Sequence, residues 1–195
     1  MPEPAGVPVH ATARAPVRTT ARLRLRPFRD DDLPAFAALN ADPRVMEFLG
    51  GRPMSREASD AMARWANRLH AEEGIGLLAV ERRADGALLG MCGLHHLDWF
   101  PGDVEIGWRL APEHWGNGYA SEAAAAWLGY GFGELGLPRV VSTTDPPNAR
   151  SIAVMHRLGM TFAGEAEGEE DGERFPVVVH AIDRGGPVPG CPCRA

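Results

Sequence analysis

Gly116 and Gly118 stand in the stretch APEHWGNGYA, directly before the run SEAAAAWLGYGFGEL. Two glycines there strip side-chain bulk from the front of a helix start. A helix N-terminus offers free N–H groups and the positive end of its dipole, so such a loop suits a phosphate or pyrophosphate. Upstream, the segment DVEIGWRL carries Glu105 in the middle of an apolar alternation, and His95-His96 end the segment before it. Carboxylates and imidazoles are the side chains that most often carry protons in catalysis. A buried, unpaired carboxylate is costly, so Glu105 must either be paired or line a cleft.

The better-known phosphate loops do not fit. A dinucleotide fingerprint needs a third glycine where Ser121 stands, and a P-loop needs Gly-Lys-Ser/Thr. The chain has no lysine; all 20 basic residues are arginine. That also removes a catalytic lysine and a pyridoxal-phosphate Schiff base.

The elements that must position these residues follow from periodicity. Val104, Ile106, Trp108 and Leu110 alternate with Asp103, Glu105, Gly107 and Arg109, the pattern of a strand. Ala120, Ala124, Trp127, Leu128, Gly131 and Leu135 form one helical stripe. Before them, residues 1–18 are rich in Pro, Ala, Val and Arg without period and read as a mobile arm. A first strand follows from Thr20, then a helix capped by Asp30-Asp31-Asp32 and a short one opened by Asp42-Pro43. Ser55 caps a longer helix with the stripe Ala58, Met62, Trp65, Ala66 and Leu69. Two strands, 77–82 and 87–97, then make a hairpin across Ala84-Asp85-Gly86 and lead to the Glu105 strand. After the helix come a strand at 139–144, a short helix capped by Asn148, and strands at 160–164 and 175–183 around an acidic loop. The strand at 139–144 must cross back over the helix to run parallel to its predecessor. The expected fold is α/β: a mixed, mostly antiparallel sheet of about seven strands with helices on both faces.

Composition narrows the partners. At 195 residues the chain is one domain of ordinary size, and a net charge of −6 argues against nucleic acid. No stretch reads as a membrane span or a signal peptide. Of three cysteines, Cys92 reads as core, while Cys191 and Cys193 sit in a tail without further metal ligands, so no metal is expected. A reduced, cytoplasmic compartment is the default.

The order of these elements and residues resembles the GNAT superfamily of acyl-CoA-dependent N-acetyltransferases, most closely the RimJ/RimL-like branch. The residues that carry the likeness are Arg29-Asp30-Asp31-Asp32-Leu33, Glu105-Ile106-Gly107-Trp108, Trp115-Gly116-Asn117-Gly118-Tyr119-Ala120-Ser121-Glu122-Ala123, Asn148-Ala149-Arg150-Ser151-Ile152 and Leu158-Gly159-Met160. It makes residues 19–184 a single acetyltransferase domain and 185–195 a tail. The resemblance implies a splay between the fourth and fifth strands that holds the pantetheine arm of acetyl-CoA. It places the backbone of Trp108, Arg109 and Leu110 against the pantetheine amides and the N–H groups of Trp115, Gly116, Asn117, Gly118, Tyr119 and Ala120 on the pyrophosphate. Asn148 and Ser151 would face the arm, and Arg150 would reach the ribose phosphate.

Two positions depart from the superfamily pattern. Glu113 opens the loop where Gln or Arg is usual, and Met155 fills a slot where many members carry a tyrosine acid for the leaving thiolate. Glu105 is then the candidate base for an amine acceptor, against the reading of a structural ion pair. His95 and His96 are candidates for a substrate or base role, although neighbours in a strand face opposite ways. Trp99-Phe100 is a substrate wall, a self-association patch or a packed lid. The acceptor would be a protein N-terminus or a small amine, and the chain a monomer or homodimer. The rival expectation is a non-catalytic acyl-CoA sensor or interaction module on the same fold.

Overall fold

The computed structural model describes residues 18–97, 99, 100, 102–170 and 172–186. Residues 1–17 of the expected arm and 187–195 of the expected tail, Cys191 and Cys193 included, lie outside the described residues, while Arg18, the arm's last residue, is in a strand. Eight strands, β1 (Arg18–Thr19), β2 (Leu23–Arg26), β3 (Gly76–Arg82), β4 (Leu88–His96), β5 (Val104–Leu110), β6 (Arg139–Thr144), β7 (Thr161–Glu170) and β8 (Glu173–Asp183), form one sheet in the order β1-β2-β3-β4-β5-β6-β8-β7. The helices are α1 (Leu33–Asn40), α2 (Pro43–Met46), α3 (Arg56–Glu73), α4 (Tyr119–Gly133) and α5 (Ala149–Arg157). One strand exceeds the expectation: Arg18–Thr19 pairs with Leu25 and Arg24.

Sequence alternation divides the sheet into two packed faces. Leu78, Val80, Cys92, Leu94 and Ile106 point to α4 and meet Ala124, Trp127 and Leu128 in the larger core. Ala79 and Met91 point the other way and meet Phe36 and Ala63 from α1 and α3. Each large side chain buried in this way is worth about 1.5–3 kcal/mol. Cys92 is fully buried in the larger core, and burial pushes its thiol up.

Two expectations are corrected. The buried stripe of α3 is Ser59, Ala63, Ala66 and His70, and Trp65 is 41% exposed. Small residues let α3 approach the sheet closely, and Ser59 Oγ accepts from Asn40 Nδ2 at 2.8 Å. The acidic stretch after Gly164 is strand rather than loop: β7 runs through Glu169, paired across to Arg174. Glu165, Glu167 and Glu169 take the exposed side of the alternation, while Gly168 lies flat beneath the Phe175 ring.

A buried ion network ties β2 and β3 to the start of α1. Arg26, 3% exposed, donates through Nε to Glu81 at 2.6 Å and through Nη1 and Nη2 to Asp32 at 2.5 and 2.8 Å. Asp32 also accepts from the Arg29 N–H at 2.7 Å. The aspartate run therefore serves the arginine as well as the helix start.

The feature that matters for function is the junction of β5 and β6. These parallel strands pair only at Val104–Val140 and Glu105–Val141. Beyond that point β5 stays on β4 as far as Leu110, and β6 stays on β8 as far as Thr144. The two strands part, and the β5 edge from Ile106 onward faces a cleft.

Candidate active site

Glu105 sits at the fork. Its ladder partner on β6 is Val141; two residues on, the Thr143 N–H donates to Glu105 Oε1 at 2.7 Å and the Thr143 hydroxyl donates to the same oxygen at 2.6 Å. The carboxylate thus takes over as partner for β6 just where the β5 backbone stops pairing. Glu105 is 7% exposed, so this pairing also answers the cost of burying it.

The other oxygen, Oε2, lies 3.0 Å from His95 Nε2. His95 and Glu105 are direct cross-strand partners on β4 and β5. His95 Nδ1 lies 3.0 Å from the His96 carbonyl, so both ring nitrogens face oxygen acceptors. Gly107 leaves room for the ring: a Cβ there would sit 3.3 Å from both His95 Nε2 and Leu77 Cδ2. His96 is not part of this group. It is exposed at the strand end, with Nε2 3.2 Å from Glu73 Oε2.

The β5 edge continues through Trp108, Arg109 and Leu110. The Arg109 side chain turns to the α1–α3 face and donates to Asn40 Oδ1 at 2.7 Å. The Leu110 carbonyl accepts from the Trp115 indole N–H at 2.7 Å, which docks the following loop on the strand. In that loop Gly116 and Gly118 have φ of +75° and +76°, values that L side chains rarely adopt. Among the described residues, its chain neighbours aside, no heavy atom lies within 4 Å of the position a Gly116 Cβ would take, so the loop faces open space there. Asn117 Nδ2 donates to the His114 and Trp115 carbonyls at 3.2 and 3.0 Å and shapes the turn. Gly118 is the N-cap of α4, so the free N–H groups of Tyr119 and Ala120 open on this side.

Across the cleft, Asn148 is a cap. Its Oδ1 accepts from the Ser151 N–H at 3.1 Å and its Nδ2 donates to Thr144 Oγ1 at 2.9 Å. Arg150 stacks on Trp115, with Cζ 4.2 Å from the ring centroid, and its Nη2 lies 3.5 Å from Glu47. Met155 is 0% exposed, so no acid reaches the cleft from that slot. Trp99 packs edge-on against Phe100 and Phe175, which joins the β4–β5 turn to the last hairpin.

Sequence reasoning missed Thr143 and Arg22. Thr143 carried no signal, because its role depends on where two strands cease to pair. Arg22 belongs to the turn before β2, yet it reaches the glycine loop and donates to the Asn117 carbonyl at 3.0 Å.

Residues 22–161 match the model of the acetyltransferase (GNAT) domain. The chain belongs to the GNAT acetyltransferase family. The YkkB protein of Bacillus subtilis is 36% identical over 151 residues, covering 74% of this chain and 84% of that protein. The crystal structure of an acetyltransferase from Agrobacterium tumefaciens superimposes with a TM-score of 0.74 at 33% identity, covering 88% of this chain and 96% of that one. The RimJ protein of Mycobacterium smegmatis, solved with a CoA disulfide, shares the fold at 23% identity and a TM-score of 0.67, over 83% of this chain and 81% of its own.

GNAT enzymes are acetyl-CoA-dependent, and the residues present here fit that molecule. An unpaired strand edge suits an amide-bearing arm. A positive-φ glycine loop at a helix start, with Arg22 on the Asn117 carbonyl and Arg150 stacked on Trp115, suits its phosphates. Among the described residues, no helix is long and apolar enough to cross a membrane.

Proposed function

We propose that this GNAT enzyme transfers the acetyl group of acetyl-CoA to a primary amine, a protein N-terminus or a small molecule, by direct attack in a ternary complex. The observation that carries the reading is the Glu105 carboxylate at the fork of β5 and β6, tied to Thr143 and 3.0 Å from His95. The β5 edge from Trp108 to Leu110 holds the pantetheine arm, and the Trp115–Ala120 loop holds the pyrophosphate. Ser151 and Arg150 line the far wall, with Asn148 fixing the start of α5.

The neutral amine attacks the thioester carbon; the C–N bond forms and the C–S bond breaks. Charge that develops on the carbonyl oxygen is steadied by a β5 backbone N–H. The amine proton passes to Glu105, directly or through one water. Oε1 already accepts two hydrogen bonds from Thr143, so the oxygen with room for a proton is Oε2, beside His95. His95 positions that oxygen. The thiolate takes its proton from solvent, since Met155 has none to give. Much of the rate comes from holding the two substrates together.

The test is release of free CoA from acetyl-CoA in the presence of a panel of amines: N-terminal peptides, polyamines and aminoglycosides. Amine-dependent release identifies the acceptor class. Tight acetyl-CoA binding with no release for any amine favours the sensor reading.

A further inference from the structure

The first turn of α4 contains a contradiction. The loop before it is built for an anion, yet Glu122 places a carboxylate in that same turn. A negative charge there opposes a bound phosphate. The structure deals with it from outside the helix. Glu122 Oε1 accepts from the Thr20 hydroxyl at 2.5 Å and from the Arg22 N–H at 2.9 Å, and Oε2 accepts from Arg22 Nε at 2.6 Å. Burial alone would raise the Glu122 carboxyl, but the bonds from Thr20 and Arg22 outweigh it and hold it below its ordinary value.

The Arg22 guanidinium is fixed on three sides. Nε is on Glu122, Nη1 donates to the Asn117 carbonyl at 3.0 Å, and the plane lies over Tyr119 with Cζ 4.6 Å from the ring centroid. The remaining nitrogen, Nη2, lies 3.6 Å from the position a Gly118 Cβ would occupy. It is therefore beside the residue that starts the helix, on a side chain still 47% exposed. A guanidinium pinned in this way loses little further entropy when it donates to a phosphate, and its fork suits phosphate oxygens.

We infer that Arg22 is a cofactor-binding residue, donating from Nη2 to the pyrophosphate of acetyl-CoA while its Nε edge neutralises Glu122. The inference rests on the reading of the Trp115–Ala120 loop as the pyrophosphate site. It makes the turn between β1 and β2 part of the cofactor site and gives the short first strand a purpose. That strand sets the turn against α4, where Arg18 lies over the Tyr130 ring at 3.3 Å.

The experiment uses the full chain and two acetyl donors. Acetyl-CoA binding is measured by calorimetry, and use of acetyl-pantetheine, which lacks the phosphates, is measured as kcat/KM. Arg22→Gln, which keeps polar reach but not charge, should weaken acetyl-CoA binding by about 10–100-fold. It should leave acetyl-pantetheine kcat/KM within about twofold of wild type. Adding Glu122→Gln should not restore the lost affinity. Unchanged acetyl-CoA affinity, an equal loss with acetyl-pantetheine, or full rescue by Glu122→Gln would each overturn the inference; the last would leave Arg22 as a counter-ion alone. If Arg22→Gln does not fold, Arg22→Lys takes its place, with a smaller loss confined to acetyl-CoA. Gly118→Val separates the two layers. Normal acetyl-CoA binding in that variant refutes the loop reading itself, whereas lost binding there with normal binding in Arg22→Gln refutes only the role of Arg22.

Discussion

His95 and Glu105 face each other across β4 and β5 with Nε2 and Oε2 3.0 Å apart, and the other ring nitrogen of His95 is spent on the His96 carbonyl. The imidazole is therefore an oriented partner of the carboxylate rather than a free second base. His95→Ala should lower kcat by about tenfold while leaving KM for acetyl-CoA unchanged, and His95→Gln, whose amide N–H₂ can donate to Oε2, should recover part of the loss. The split between kcat and KM and the altered pH–rate profile are the readouts. A change confined to thermal stability would make the pair structural.

The glycine loop gives a prediction about binding. Gly118 holds φ +76°, and a β-branched side chain there forces the loop out of shape. In wild type, acetyl-CoA should raise the melting temperature with the logarithm of its concentration above Kd. Gly118→Val should lose that rise. A rise as large as that of wild type would show that the cofactor does not use this loop.

The ion network predicts where stability is held apart from function. Glu81 is 3% exposed and accepts from Arg26, itself buried. Glu81→Gln removes one of the two carboxylates on the buried Arg26 guanidinium, Asp32 remaining, and should cost about 1.5–3 kcal/mol in denaturant unfolding. Acetyl-CoA affinity of the folded fraction should not move. A cost below about 1 kcal/mol would contradict the assigned burial of the network.

His180 predicts a pH dependence of stability. It is 4% exposed and lies against His156 with ring centroids 5.2 Å apart. Burial, and then the charge of His156, hold its basicity below the ordinary value of 6.5. Below that pH the unfolded chain takes up a proton that the native chain resists, so stability falls as pH drops. The melting temperature of wild type should decline from about pH 6.5 downward, and His180→Gln should flatten that part of the curve. Equal slopes for the two proteins would contradict the argument.

Much of this was legible in the sequence. The strand, glycine loop and helix around Gly116 and Gly118 could be read because backbone conformation there depends on local residue type. The division of the sheet into two faces was legible from alternation. The splay of β5 and β6 was expected only through the family resemblance, and its exact position was not legible, because nothing in Val104–Leu110 or Arg139–Thr144 marks the residue at which two parallel strands stop pairing. That blind spot hid Thr143, whose partner is distant in sequence. Alternation allowed only one of His95 and His96 to face inward, and the register with Glu105 decides for His95. The acidic stretch after Gly164 misled for a different reason: its charge suggests a loop, while pairing to Val177–Val179 and the Phe175 ring over Gly168 hold it extended. Arg22 was hidden because its alternation with Leu23 and Leu25 reads as an ordinary strand position, whereas β2 begins only at Leu23.

Whether Glu105 receives the amine proton is decided by the turnover of Glu105→Gln at saturating acetyl-CoA. Glutamine keeps the shape and can still accept from Thr143, but it cannot take up the proton. A lysine-like amine with a pKa of about 10.4 is neutral in well under about 1% of molecules at pH 7, so such an acceptor depends on a base more than an α-amine near ~8 does. With acetyl-CoA affinity unchanged, kcat should fall by about 10²–10⁴-fold and recover in part as pH rises and free amine becomes abundant. Turnover at the wild-type rate, with acetyl-CoA bound as tightly as before, would contradict the account and leave Glu105 as the structural tie between β5 and β6.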